Sequence, residues 1–157
     1  KHHGPLAGLE FQKYIEQKAY EMGGGQFKVP AQNLLDYLEE KQSNALNASS
    51  YHPGKTSVDL NNLYPEAINF RLREGLREMT KKLKGFDHQD AVVTAPESRT
   101  SAPVRIPRTV YLHHTEITNL YPCGEGAGYA GGIISAAMDG ERIAHALFEK
   151  RSHNISK

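Results

Sequence analysis

Asn119-Leu-Tyr-Pro-Cys-Gly-Glu-Gly-Ala-Gly-Tyr-Ala-Gly-Gly-Ile133, continued by Ile-Ser-Ala-Ala-Met-Asp-Gly140, is the stretch on which the reading of this chain turns. An apolar, strand-like lead of Leu120, Tyr121 and Cys123 enters five glycines within nine residues. A small-residue helical run then begins near Ile133 and lasts to about Lys150. The expected order is strand, glycine turn, helix. Glycine lets the backbone reach positive φ and approach a ligand with no Cβ in the way, and the open N–H groups and positive dipole end of a helix favour a phosphate. The competing reading is a plain chain reversal. That needs one or two glycines, not five placed directly before a helix start.

Gly126-Ala-Gly128-Tyr-Ala-Gly131 matches the letters of G-x-G-x-x-G, but its surroundings do not fit a Rossmann opening. That fingerprint belongs to a βαβ unit with an acidic residue on the ribose about 20 residues on. The acids after this turn, Glu141 and Glu149, fall inside the expected helix. The segment therefore reads as the strand-turn-helix that comes last in its domain.

The whole chain bounds what this turn can belong to. Its 157 residues suit one domain with a real core, and 38% hydrophobic against 24% charged residues is a globular composition. Nineteen basic and eighteen acidic residues leave a net charge of +1, and no basic stripe is interleaved with aromatics. No nucleic-acid partner is expected from that balance. Cys123 is the only cysteine, which excludes an internal disulfide and a cysteine-based zinc site and fits a reducing cytoplasm; a small buried residue at a strand end is its expected role. No apolar run of about 18 residues marks a membrane span.

Upstream, residues 1–8 read as a His-, Gly- and Pro-containing loop. Leu9, Phe11 or Gln12, Ile15, Ala19 and Met22 recur at helical spacing until Gly23-Gly-Gly25 closes the run. Pro30 is expected to open a second helix carrying Leu34, Leu35 and Leu38 to about Lys41. Residues 42–55 form a polar connection with a Pro53-Gly54 turn, where Tyr51, His52 and Lys55 are candidates for lining a site. Asp59 can cap a short turn, and Pro65 restarts a helix to about Lys84 on Ile68, Leu72, Leu76, Met79 and Leu83. The charged flank of that helix, Arg71, Arg73, Arg77, Lys81, Lys82 and Lys84 with Glu74 and Glu78, reads as a solvated face. From about Asp90 the character changes: residues 91–94, 104–106 and 111–114 are short and β-like. The expected class is α+β, with a helical region over residues 1–86 and an α/β part over 87–157.

Eight histidines make no H-x-x-x-H or H-E-x-x-H pattern, so no metal is expected, and no serine sits in G-x-S-x-G. Arg99 and Arg105 are the arginines best placed in sequence to bind an anionic group.

The glycine stretch resembles the C-terminal signature of the FAD-dependent, or NAD(FAD)-utilising, dehydrogenases, flavoproteins with a glutathione-reductase-like FAD domain. Glu97-Ser-Arg-Thr-Ser-Ala-Pro-Val-Arg-Ile106 resembles a second block of that family, and Pro5-Leu-Ala-Gly-Leu-Glu-Phe-Gln12 a weaker third. The resemblance implies that Glu125 is a ligand of the FAD ribityl chain. It further implies that Gly124, Gly126, Ala127, Gly128, Gly131 and Gly132 are close-approach backbone, and that Arg99 lies near the cofactor. Members carry an N-terminal FAD-binding βαβ unit that is not seen here, so the chain is expected to be the C-terminal portion of a longer flavoprotein. NADH or NADPH is the implied reductant, the rest of the FAD domain the implied partner, and residues 1–86 the implied cap. An apolar sheet edge would also favour a homodimer. The reading from a different class is a helical interaction module whose glycine turn holds a phosphate or is purely structural.

Overall fold

The computed structural model describes residues 4–98 and 101–155. The class is α+β, with four α-helices and one three-stranded mixed sheet among the described residues. By packing, the chain divides into two units, one of residues 13–96 and one made of the described residues up to Gln12 together with those from Glu97 onward.

In the first unit, α1 (Ala7–Met22, whose first turns belong to the other unit) buries Ile15 and Ala19, as its spacing predicts. The three glycines terminate it. Gly23 donates to the Ala19 carbonyl at 2.8 Å and Gly25 to that of Tyr20 at 3.0 Å, with Gly24 and Gly25 at φ of +83° and +74°. A Cβ on Gly23 would lie 2.3 Å from the Lys28 carbonyl oxygen, so that position requires glycine.

Pro30 opens a strand where a helix was expected. β1 (Val29–Asn33) is central, with β2 (Lys55–Ser57) parallel on one side and β3 (Val92–Thr94) antiparallel on the other. Two effects account for this. The residue before a proline is pushed out of the α region. The missing N–H of Pro30 also falls beyond the last registered β1–β3 pair, Ala31 with Thr94, where the ladder loses nothing. The leucines follow in α2 (Leu34–Leu38), a helix of only five residues. The connection through residues 42–55 is irregular as read, but its end becomes β2.

Asp59 caps a 3-10 turn (Leu60–Asn62) by accepting the Asn61 N–H at 3.0 Å. α3 (Glu66–Lys82) begins after Pro65, as expected, but turns a different face inward. Leu72, Met79 and Leu83 are exposed, while Asn69 and Arg73 are buried. Arg73 therefore leaves the solvated flank: its guanidinium donates to Asn61 Oδ1 and to Glu66 at 2.7 Å. Asn69 donates to the carbonyls of Asn61 and Tyr64, and Tyr37 donates to Asn69 Oδ1. Around this polar network pack Ala31, Leu34, Leu60 and Leu63, all nearly inaccessible. The outer charges do behave as a solvated face, with Glu74–Arg77 and Glu78–Lys81 paired at the surface.

The second unit is mostly irregular chain over residues 101–132, followed by α4 (Ile133–Ile155). The strands expected at 104–106, 111–114 and 120–123 do not form; only an isolated bridge joins Arg108 to His114. Pro103 and Pro107 flank the first of these segments and Pro122 lies in the third, where each removes a ladder donor, and the backbone bonds that remain are scattered: Ile106 N–H to Ala127, Thr109 N–H to His113 and His114 N–H to Leu120. Cys123 is exposed, not buried. The start of α4 at Ile133 is where the small-residue run predicts it.

Candidate functional site: the glycine turn and its groove

The 124–132 segment is fixed by bonds that the sequence does not advertise. Gly124 adopts φ of +67° and Gly128 of +80°. The Gly128 N–H donates to the Glu125 carbonyl at 2.9 Å, and the Tyr129 N–H to that of Gly124 at 3.0 Å. A Cβ on Gly128 would stand 2.7 Å from the Val104 carbonyl oxygen, so this glycine serves the chain's own packing against residues 104–105. Ala127 is buried, and its carbonyl accepts the Ile106 N–H at 3.1 Å.

Beneath the turn lies a charged anchor. The Arg108 guanidinium donates to both Asp139 carboxylate oxygens, at 2.8 and 2.7 Å, and to the Pro122 carbonyl at 3.0 Å. The Asp139 carboxylate also accepts the Gly124 N–H at 2.9 Å, so the second turn of α4 holds the start of the glycine turn. The guanidiniums of Arg108 and Arg105 lie 3.6 and 4.4 Å from the Tyr129 ring centre, and the Tyr129 hydroxyl donates to the Ile106 carbonyl at 3.0 Å. Two hydrogen bonds from Arg108 hold the Asp139 carboxyl down at about 2, with the Gly124 N–H and the Arg142 charge adding to the effect. The same bonds raise the pKa of Arg108.

The remaining glycines face the other way in this accounting. A Cβ on Gly126 would meet nothing within 4 Å, and on Gly131 and Gly132 only the hydroxyls of Ser101 and Ser135 at 3.6 and 3.8 Å. Nothing in the chain's own packing requires glycine at these three positions. They border an open side that leads into the first turn of α4, whose leading N–H groups have no intrahelical partner. Gly126 also borders a groove of about 370 Å³ lined by Leu9, Gln12, Ser101, Pro103, Val104 and Glu125 among others. Gln12 is held there through its amide, which donates to the Ser98 carbonyl. The Glu125 carboxylate has no hydrogen-bond or ion-pair partner among the described residues.

The structure thus brings Glu125 and Gly126 to one groove with Gln12 and Ser101, and sets Gly131 and Gly132 at the helix start. It gives Gly124, Ala127 and Gly128 bonds or contacts within the fold. Arg99 lies outside the described residues. Arg108, Tyr129 and Asp139, which shape the turn, carry no motif. The one available signal was Asp139 itself, an acid near the start of a helix in an otherwise apolar run.

Among the described residues no helix is long and apolar enough to cross a membrane, and no group of three or more His, Cys, Asp or Glu could hold a metal ion. A protein of Clostridium beijerinckii described only as uncharacterized is 43% identical over 148 residues, which is 93% of this chain and 28% of that protein. The chain therefore spans little more than a quarter of that relative's length. A family model of FAD-dependent proteins, C-terminal domain-like, matches residues 1–100, and on that match the chain belongs to this family.

Proposed function

We propose that the chain is the flavin-facing C-terminal part of a longer oxidoreductase of glutathione-reductase-like type, working as a dehydrogenase with NADH or NADPH as reductant. The observation that carries this reading is the Glu125 carboxylate, an acceptor with no partner among the described residues, in a groove it shares with Gly126, a glycine that internal packing does not need. These residues fit FAD. Glu125 would accept a ribityl hydroxyl, and the open backbone at Gly126, Gly131 and Gly132 would let the cofactor approach closer than any Cβ allows. The start of α4 would favour its pyrophosphate. When bound, FAD supplies the hydride chemistry at its own ring. The chain's residues hold and orient: Asp139 and Arg108 fix the turn, and Gln12 and Ser101 offer polar groups within the groove. The rest of the longer protein, with the adenosine-binding unit, is the partner in this reading.

The test is flavin content of the longer protein by near-ultraviolet and visible absorption, before and after anaerobic NADH or NADPH. Flavin bands that bleach with one nucleotide are expected in the wild type. Glu125→Ala, losing one charged hydrogen bond, should weaken flavin retention by about 10- to 100-fold, and Glu125→Gln, which keeps an acceptor oxygen, by less. A protein that stays colourless after added FAD would leave the turn as structure and favour the interaction module.

A further inference from the structure

A second cavity lies in the same unit, against the later turns of α4. It has a volume of about 600 Å³ and is lined by Tyr111, Leu112, His113, Tyr121, Ala146 and Glu149 among others. That volume is within the range of small-molecule sites, roughly 300–1,000 Å³. Its lining includes none of the glycine-turn residues, and from Asp139, which holds Gly124, to Ala146 the helix rises about 10 Å.

Its wall is built from rings set at defined angles. Tyr111 and His113 lie nearly parallel, 9° apart with centres 6.5 Å from each other, and Tyr121 stands edge-on to His113 at 6.3 Å. A separation of 6.5 Å is at the loose end of aromatic pairing, and Tyr111 is 76% exposed, so its ring is open to a further flat group. The loop that presents these rings is held against its own preference. Leu112 sits at φ of +69°, a conformation that side-chain-bearing residues rarely adopt. It is kept there by the Leu112 N–H on the Thr109 carbonyl at 3.0 Å and the Thr109 N–H on the His113 carbonyl at 2.8 Å. Strain of this kind persists where surrounding bonds over-determine the loop, as they do here.

His113 supplies the polar contact. Its Nδ1 lies 2.7 Å from the His114 carbonyl oxygen, which can only accept, so in the neutral ring Nδ1 carries the proton and Nε2 is a bare acceptor. Nε2 has no hydrogen-bond partner among the described residues. Flat ring walls and one bare acceptor together select a ligand that is planar and a hydrogen-bond donor at its edge. We infer that this cavity binds a small neutral heteroaromatic through ring stacking and a ring N–H donated to His113 Nε2. The inference is independent of the flavin reading, since it concerns different residues and a ligand without phosphate.

Indole and 1-methylindole test it, because they share a ring system and differ in the N–H. Titrated into the full 157-residue chain, indole should shift the Ala146 methyl and His113 ring signals saturably in NMR spectra, with 1-methylindole weaker by about fivefold. His113→Phe keeps a flat ring and removes Nε2, so it should make the two ligands equal. Ala146→Leu, which leaves His113 in place, should abolish binding of both by filling the cavity. No saturable shift with either ligand would overturn the inference, as would an indole preference that survives in His113→Phe. If His113→Phe does not fold, loss of indole binding in Ala146→Leu, with the signals of residues outside the cavity such as Tyr129 unchanged, decides the site in its favour, and retained binding decides against it.

Discussion

The Arg108 guanidinium and the Asp139 carboxylate meet through two hydrogen bonds of 2.8 and 2.7 Å, with side chains only 8% and 6% exposed. They are 31 residues apart, and between them lie the irregular chain and the whole glycine turn. Because Asp139 also accepts the Gly124 N–H, one carboxylate ties the loop before the turn, the turn itself and α4 into a single arrangement. The backbone geometry of the glycine turn thus depends on an ion pair whose two members are not among the residues proposed to hold the cofactor.

Asp139→Ala should be among the most damaging single changes in this unit. It strands the Arg108 charge away from water and leaves the Gly124 N–H without its acceptor. Removing one member of a buried pair costs about 3–5 kcal/mol. Urea unfolding followed by circular dichroism reads that cost, and a loss under about 1 kcal/mol would show that the turn is held by something else.

The same pair sets an acid limit. The Asp139 carboxyl titrates at about 2 in the folded chain against an ordinary value of 3.8, so its folded form prefers the charged state. A depressed carboxyl contributes its stability fully above the unfolded value and loses it as pH falls through the folded one. Between about pH 4 and pH 2 the chain should lose about 2 kcal/mol from this group alone. Asp139→Asn should flatten the stability profile over that window. A variant whose profile keeps the wild-type slope there would assign the acid sensitivity to other carboxyls.

In α3, Arg73 and Lys81 both belong to the charged flank, but they should respond differently to replacement. Arg73 is 4% exposed in its side chain and satisfies Asn61 Oδ1 as well as Glu66. Arg73→Ala leaves a buried acceptor unpaired beside a void, a loss of about 2 to 3 kcal/mol. Lys81, with its side chain 68% exposed, pairs with Glu78 in water, so Lys81→Ala should leave the thermal midpoint unchanged within error. Thermal melts of the two variants side by side make the comparison.

What could be read in the sequence divides along physical lines. α1, α3, α4 and the short turn after Asp59 were legible because apolar spacing, glycine stops and an Asp cap act within a few residues. Their inward faces were less so. The Leu72-Met79-Leu83 stripe of α3 is exposed here, while Asn69 and Arg73 point inward because their partners Asn61 and Tyr64 lie in the preceding turn, which periodicity does not see, with Glu66 two turns back on the same helix. Pro30 was misleading for a similar reason, since whether a proline starts a helix or ends a ladder depends on strands that pair only in three dimensions. In the site, the sequence singled out the glycines and Glu125 but could not separate Gly128, which the fold itself needs, from Gly126, which it does not. Arg108 and Tyr129 went unseen because no local spacing marks a contact spanning 31 or 23 residues.

That separation of glycines yields the sharpest contrast to measure. Gly128 combines φ of +80° with a Cβ position 2.7 Å from a backbone oxygen, which cannot swing aside as a side chain would. Gly128→Ala should therefore destabilise the chain itself by about 2 kcal/mol or more, with or without flavin, through left-handed strain and displacement of residues 104–105. Gly126 has no positive φ, and a methyl group there meets open space. Gly126→Ala should leave the urea midpoint of the chain where it is. In the longer protein the same methyl would stand where the cofactor is proposed to approach, so flavin retention should fall while folding does not. Measuring unfolding midpoint and bound flavin for both variants separates glycine required by the fold from glycine required by the ligand. If Gly126→Ala keeps both stability and full flavin content, the open side of the turn is not where FAD lies.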